Sequence, residues 1–106
     1  MIANLLAQLS FDEKQCHLLE ALADGSELAA STLCRRTGIA RSTVYLQLSE
    51  LEEMGLVEEI ERSGVKYFSL RGPSVFAEMV RSQKEEISRR EKTASQLEKL
   101  LKPTTT

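Results

Sequence analysis

Four side chains that can donate hydrogen bonds to an anion lie close together in the segment ARSTVY. They are Arg41, Ser42, Thr43 and Tyr45. At the beginning of a helix, a guanidinium and short hydroxyl groups can bind a phosphate or the edge of a guanine, and the first amide groups of the helix also favour an anion. The segment therefore predicts a helix end that binds phosphate or nucleic acid.

A helix from about Arg41 to Met54 is predicted to hold these groups. Its apolar residues Val44, Leu48 and Leu51 recur at a spacing that places them on one buried face. At 100° per residue, the opposite face carries Ser42, Leu46, Ser49 and Glu53. Gly38 is expected to provide a tight turn before the helix, with a positive φ.

Two helices are predicted at the start of the chain. The first extends over about residues 2–10 and has apolar residues at three- and four-residue spacing. The second begins after Asp12, which can form a capping box with Gln15, and it ends at Asp24 and Gly25.

A short helix is predicted over about residues 30–37. Ser31 and Thr32 near its beginning are candidate phosphate donors, and Arg36 adds positive charge near its end. A helix, a glycine turn and a second helix in this order are typical of a helix-turn-helix.

After the helix predicted from about Arg41 to Met54, the spacing of apolar residues changes from that of a helix to that of a strand. Residues 56–60 and 65–70 predict two strands, and residues 61–64 predict the turn between them. Arg62 and Lys66 flank that turn, where they could contact a nucleic-acid backbone.

A long helix is predicted from residue 74 to residue 102, which would extend for about 43 Å at ~1.5 Å per residue. Apolar residues fill most of its heptad seam, so a coiled-coil dimer is expected. The seam residues are Phe76, Val80, Gln83, Ile87, Arg90, Ala94, Leu97 and Leu101. Ile2, Leu5 and Leu9 of the first helix are predicted to join this dimerisation surface. Folding of the long helix back onto its own domain is the alternative.

These elements predict a mainly α fold with a small β-hairpin, namely a winged helix-turn-helix followed by a long C-terminal dimerisation helix. Residues 1–72 are expected to form the DNA-binding domain with an N-terminal amphipathic helix. Residues 73–102 are expected to form the dimerisation element, and residues 103–106 a disordered tail.

The composition limits the classes of function. With 16 acidic and 14 basic residues, the formal net charge is −2, which argues against sequence-independent coating of nucleic acid. The chain has one histidine and no pairing of a nucleophile with a base, so neither an enzyme nor a metal or cofactor site is expected. No apolar run approaches the ~20 residues of a membrane span. Cys16 and Cys34 are expected to be reduced, packed thiols of a cytoplasmic protein, and a thiol sensor is the alternative.

The run TGIARSTVYLQLSELEEMGLVEE, together with GVKYFSL, resembles the DNA-binding domain of the TrmB-like transcriptional regulators. MarR-like and ArsR-like winged helices have similar patterns. The resemblance covers roughly residues 10–72 well and the last helix loosely. It implies that the helix after the Gly-Ile turn enters the major groove and that the hairpin touches the flanking backbone. The sugar-binding domain of larger TrmB-like regulators is not expected here.

The resulting prediction is a homodimeric transcriptional regulator that binds specific sequences in double-stranded DNA, with no effector ligand assigned. Its predicted DNA-binding residues are Ser31, Thr32, Arg36, Arg41, Ser42, Thr43, Tyr45, Leu46, Ser49, Arg62 and Lys66. Leu46 also supports a second hypothesis, because an exposed leucine on this helix is suited to a protein partner. In that case the winged helix would dock on the transcription machinery or on another regulator.

Overall fold

Five helices and three strands make up the structure, a computed structural model that describes residues 2–103. They are α1 (Ile2–Gln8), α2 (Glu13–Ala21), β1 (Leu28–Ala29), α3 (Ala30–Thr37), α4 (Arg41–Glu53), β2 (Val57–Arg62), β3 (Val65–Leu70) and α5 (Val75–Leu100). The predicted fold class, a winged helix-turn-helix with a long C-terminal helix, is confirmed. Residues 104–106 of the predicted tail lie outside the described residues.

The capping box predicted for α2 is present. The Gln15 backbone N–H donates to Asp12 Oδ1 at 2.8 Å, and the Asp12 backbone N–H donates to Gln15 Oε1 at 3.1 Å. These two bonds satisfy amide groups that have no partner inside the helix. Two amide groups at the beginning of α2 are therefore already occupied.

Leucine side chains from three helices form the core beneath the helix-turn-helix. The apolar face predicted for α4 is buried, because Val44, Leu48 and Leu51 are each at most 1% exposed. Residues from the other elements complete this core, and each of them is also at most 1% exposed: Leu18, Leu19, Leu22, Leu33 and Leu56. Their burial removes apolar surface from water and fixes which face of α4 remains outside.

The sheet differs from the prediction in two respects. A third strand, β1, pairs with β3 through Leu28 and Phe68, so the strand order is β1-β3-β2. Two residues are too short for a recognisable strand pattern in sequence. The turn of the β2–β3 hairpin is limited to Ser63 and Gly64, with φ angles of 51° and 77°, whereas the sequence pattern predicts a turn over residues 61–64. Two residues with positive φ match the twist of paired strands, so pairing continues to Arg62 and Val65.

The chain divides into two compact units, one that ends at Val75 and one that begins at Phe76. The second unit is built on α5, whose bounds are slightly narrower than the predicted residues 74–102. Among the predicted seam residues, Val80, Ile87, Leu97 and Leu101 are exposed large apolar side chains. Within residues 2–103, no helix combines the length and apolar character that a transmembrane span requires.

Replacement of Gly38 by alanine is expected to lower the free energy of unfolding by about 1–2 kcal/mol, because Gly38 has a φ of 72° and a left-handed backbone is unfavourable for alanine. An added Cβ would meet no described atom within 4 Å, so the effect is one of backbone conformation alone. Gly72→Ala is the matched control, since Gly72 lacks the positive φ and also has open space. Chemical denaturation measures both variants, and equal stabilities would contradict this account of the turn.

Candidate nucleic-acid interface

The turn between α3 and α4 is fixed by local hydrogen bonds. The Thr37 hydroxyl donates to the Leu33 carbonyl at 2.6 Å and accepts from the Ile39 N–H at 3.3 Å. The Gly38 N–H donates to the Cys34 carbonyl at 2.9 Å. This Thr-Gly turn ends α3 and sets the direction in which α4 begins.

The amino ends of α3 and α4 are both open. Their N-cap residues are Ala29 and Ala40, and no side chain among the described residues caps either helix. The first amide groups of each helix are therefore left for solvent or a ligand. Amide groups at a helix start, together with the helix dipole, favour an anion. The beginning of α2 differs, because the capping box occupies two of its amide groups.

Both open helix ends border one cleft, which the β2–β3 hairpin completes. The cleft has a volume of about 290 Å³. Its lining residues, which define what we call the hairpin cleft, are Ala29, Ala30, Ser31, Arg41, Tyr45, Gly64, Val65 and Lys66. Two cationic side chains, a phenol and a serine hydroxyl thus accompany the open amide groups. Such a set of donors can bind a phosphate backbone.

Arg41 and Tyr45 form a pair on the first turns of α4. The guanidinium carbon of Arg41 lies 5.8 Å from the centroid of the Tyr45 ring, which is within the range of a cation–π contact. A side-chain hydrogen bond with Tyr45 is the main cause that raises the pKa of Arg41 above its ordinary value. The pairing restrains a long, exposed side chain and holds its positive charge at the cleft.

The two predicted cations of the hairpin are already engaged in ion pairs. Arg62 binds Glu27 through two contacts, Nη1 to Oε2 at 2.7 Å and Nη2 to Oε1 at 3.1 Å. Lys66 Nζ lies 3.2 Å from Glu59 Oε1, and the side-chain hydrogen bond with Glu59 is the main cause that raises the pKa of Lys66. The sequence pattern alone does not predict either partner.

Acidic groups gather at the other end of α4. Burial is the main cause that raises the pKa of Glu52, the nearby charge of Glu59 raises it further, and Lys66 opposes both. Glu52 lies about three turns beyond Arg41 on a helix with ~3.6 residues per turn. The positive end of α4 at the hairpin cleft and its acidic end are therefore separated along the helix axis.

The structure brings together four of the predicted DNA-binding residues in the hairpin cleft: Ser31, Arg41, Tyr45 and Lys66. The other predicted residues of α4 are exposed or, in the case of Thr43, half-buried. Thr32 is half-buried, and Arg36 lines a different cleft of about 460 Å³ with His17 and Glu20. The structure thus separates Arg36 from the hairpin cleft.

Two features of this surface were not predicted from the sequence. The open start of α3 could have been found, because Ala29 stands where Ser, Thr, Asp or Asn normally caps a helix. Gln47 on α4 has a buried Oε1 atom without a hydrogen-bond partner in the described part of the chain. No motif pointed to Gln47, since its burial depends on how neighbouring elements pack around α4.

Cys16 and Cys34 are both free cysteines, and they differ in burial. Cys16 is buried, and its Sγ donates to the Phe11 carbonyl at 3.6 Å. Burial is the main cause that raises the pKa of Cys16, followed by the charges of nearby acids, so this thiol is kept protonated. Cys34 is half-buried. Among residues 2–103, no group of three or more His, Cys, Asp and Glu side chains is arranged to hold a metal ion.

Residues 12–59 match the sequence profile of the family described as "Bacterial regulatory protein, arsR family". This segment extends from the N-cap of α2 into β2 and is less than half of the 106-residue chain. None of the curated proteins compared with the sequence matches it. The match covers the helix-turn-helix and the beginning of β2.

Solved structures share the fold at low sequence identity. TrmBL2, an archaeal chromatin protein, superposes with a TM-score of 0.77 at 15% identity, over 92% of this chain and 38% of its own. A homodimeric winged helix-turn-helix DNA-binding domain from Mycobacterium bovis gives 0.58 at 24% identity, over 84% and 87%. An ArsR-like regulator from Rhodococcus gives 0.60 at 20% identity, over 97% and 94%. The chain spans little more than a third of the TrmBL2 chain and 60% of that of ZitR from Lactococcus lactis, a further match.

Proposed function

We propose that this protein is a transcriptional regulator that binds specific DNA sequences as a homodimer in the cytoplasm. The observation that carries the proposal is the hairpin cleft, where two uncapped helix starts, Arg41 and Lys66 face the same space. Its donors suit a phosphate backbone, and the match of residues 12–59 to arsR-type regulatory proteins agrees with such a role.

In this proposal the amino end of α4 enters the major groove. Arg41 contacts a guanine edge or a phosphate, and Ser42, Thr43 and Ser49 offer short donors and acceptors to bases. The open start of α3, with Ser31 and Thr32, binds the backbone on one side of the groove. The hairpin, through Arg62 and Lys66, contacts the flanking backbone.

The acids at the far end of α4 are compatible with this orientation. A recognition helix that enters the groove by its N-terminal residues leaves its carboxyl end farther from the phosphates. Glu52 and Glu53 then stay outside the groove, where their repulsion is screened by salt over about 8–10 Å. Affinity for the DNA backbone then depends on where a few cations are placed, since the whole chain carries a net charge of −2.

Leu46 supports a second candidate function. Its side chain is 58% exposed in the middle of α4, where a polar residue would be expected on a surface that faces solvent alone. In the DNA-binding proposal it contacts the methyl group of a thymine. In the second proposal it anchors a protein partner from the transcription machinery or another regulator.

We further propose that α5 joins two copies of the chain, with Ile2, Leu5 and Leu9 of the N-terminal segment contributing. The exposed seam of α5 repeats at the heptad spacing of a two-stranded coiled coil, and the similar domain from Mycobacterium bovis is homodimeric. Within winged helix regulators, the superposition on TrmBL2 over 92% of this chain favours a TrmB-like architecture.

Ile87→Glu is expected to convert a dimer into a monomer at micromolar concentration, because it places a charge at the centre of the proposed seam. Ile87 is 53% exposed in the single chain, so the substitution leaves the core intact. Lys92→Glu, on the outer face of the same helix, is the matched control and should remain dimeric. Light scattering measures the mass, and two variants with the same mass would contradict the seam.

Arg41→Gln is expected to weaken binding to a selected operator by about 1–3 kcal/mol, or roughly 5- to 150-fold, since it removes a base or phosphate contact. If Arg41 binds a phosphate, the slope of log K against log salt becomes shallower by about 1.8 in this variant, about 0.9 for each subunit of the homodimer. Lys14→Gln removes the same charge from the exposed side of α2 and should leave binding within about twofold. Titration by fluorescence anisotropy tests both, and unchanged affinity in Arg41→Gln would overturn the proposed interface.

A further inference from the structure

Each hairpin cation that the proposed function assigns to the DNA backbone is held by a carboxylate of the same chain. Glu27, just before β1, binds Arg62 at the end of β2 through two parallel contacts of 2.7 Å and 3.1 Å, although the residues are 35 positions apart. Glu59 on β2 holds Lys66 on β3 at 3.2 Å. We refer to these two contacts as the hairpin ion pairs.

The hairpin ion pairs lie at the surface and can exchange partners. The side chains of Arg62 and Lys66 are 63% and 60% exposed. Exposed ion pairs stabilise a fold by only about 0.2–1 kcal/mol, so a phosphate can take the place of either carboxylate. The exchange has an electrostatic consequence, because the displaced carboxylate is left without its cation beside a negatively charged backbone.

This consequence weakens the contribution of the hairpin to binding at any DNA sequence. Sequence-independent affinity comes almost entirely from cations that neutralise phosphates. A cation that must first leave a carboxylate contributes less than a free one. Contacts between α4 and base edges are not reduced in this way, so they account for a larger share of the affinity for an operator.

We propose that Glu27 and Glu59 limit the affinity of this protein for the DNA backbone, at any sequence, by occupying Arg62 and Lys66. The proposal rests on the proposed DNA-binding function. It assigns a role to two acids of the winged helix that otherwise only oppose binding. It also explains how a strongly positive surface is avoided while the cations remain available at the operator.

The two pairs differ in how freely they exchange. Lys66 also faces the charge of Glu52, which lies near Glu59, so removal of Lys66 leaves two repelling carboxylates between α4 and the hairpin. Arg62 pairs with Glu27 among the three ion pairs seen in residues 2–103. Glu27 is the better residue for a test, since substitution of Glu59 would also relieve its repulsion with Glu52.

Glu27→Gln is expected to raise affinity for random-sequence DNA by roughly fivefold at about 0.15 M salt and to steepen the salt slope by about 1.8, which is the effect of one additional phosphate contact in each of the two subunits. Affinity for the operator should rise by a similar factor, because the hairpin contacts the backbone there as well. Glu20→Gln on α2 is the matched control, because it removes the same charge from an exposed acid outside the hairpin ion pairs. Thermal melting confirms that each variant is folded.

The double variant Glu27→Gln/Arg62→Gln tests whether the increase in affinity for random-sequence DNA depends on Arg62. In the Arg62→Gln background, removal of Glu27 should raise affinity for random DNA only as much as Glu20→Gln raises that of the wild type, because only the loss of one negative charge remains. An equally large gain in affinity without Arg62, or a Glu27→Gln variant that behaves as Glu20→Gln does, would overturn the proposal.

Retention on a heparin column provides a readout that needs no operator, because heparin is a generic polyanion. Glu27→Gln should elute at higher salt than the wild type and Glu20→Gln, and elution at the same salt as Glu20→Gln counts against the proposal. The proposed function itself is tested by a separate measurement. If the wild-type protein shows no sequence preference among DNA fragments, the proposed function fails, whatever the heparin result.

Discussion

Burial of one face of α4 determines the orientation on which the whole surface depends. Val44, Leu48 and Leu51 are held in the core, so the helix cannot rotate without exposing three apolar side chains, each of which contributes about 1.5–3 kcal/mol when buried. The Thr-Gly turn at residues 37–38 fixes the point at which the helix begins. With rotation and starting point both fixed, Arg41 and Tyr45 face the hairpin cleft.

Electrostatic placement, rather than total charge, makes this surface suited to DNA. Open amide groups at two helix starts provide positive potential without adding any charged residue. Arg41 is restrained by Tyr45, and the hairpin cations are held by Glu27 and Glu59. The chain can therefore remain acidic as a whole and present a small set of donors where α3, α4 and the hairpin meet.

Local patterns allowed the fold to be predicted, whereas contacts between distant residues could not be read from them. Helical spacing of Val44, Leu48 and Leu51 defined α4, and Asp12 with Gln15 defined the beginning of α2. Strand β1 was missed because its two residues acquire strand geometry only by pairing with β3. The candidate site also depends in part on contacts between residues that are distant in the sequence. Donor types at the start of α4 were readable in sequence, but the pairing of Arg62 with Glu27 joins residues 35 positions apart.

Selection of bound fragments from a pool of genomic DNA, with purified wild-type protein at low and moderate salt, tests the central claim most directly. Two copies related by a two-fold axis should place their recognition helices in successive major grooves, about 34 Å apart. The account predicts enrichment of an inverted repeat whose half-sites are centred about 10–10.5 base pairs apart, with preference maintained at moderate salt. Fragments that share no sequence, or no retained DNA even at low salt, would contradict it.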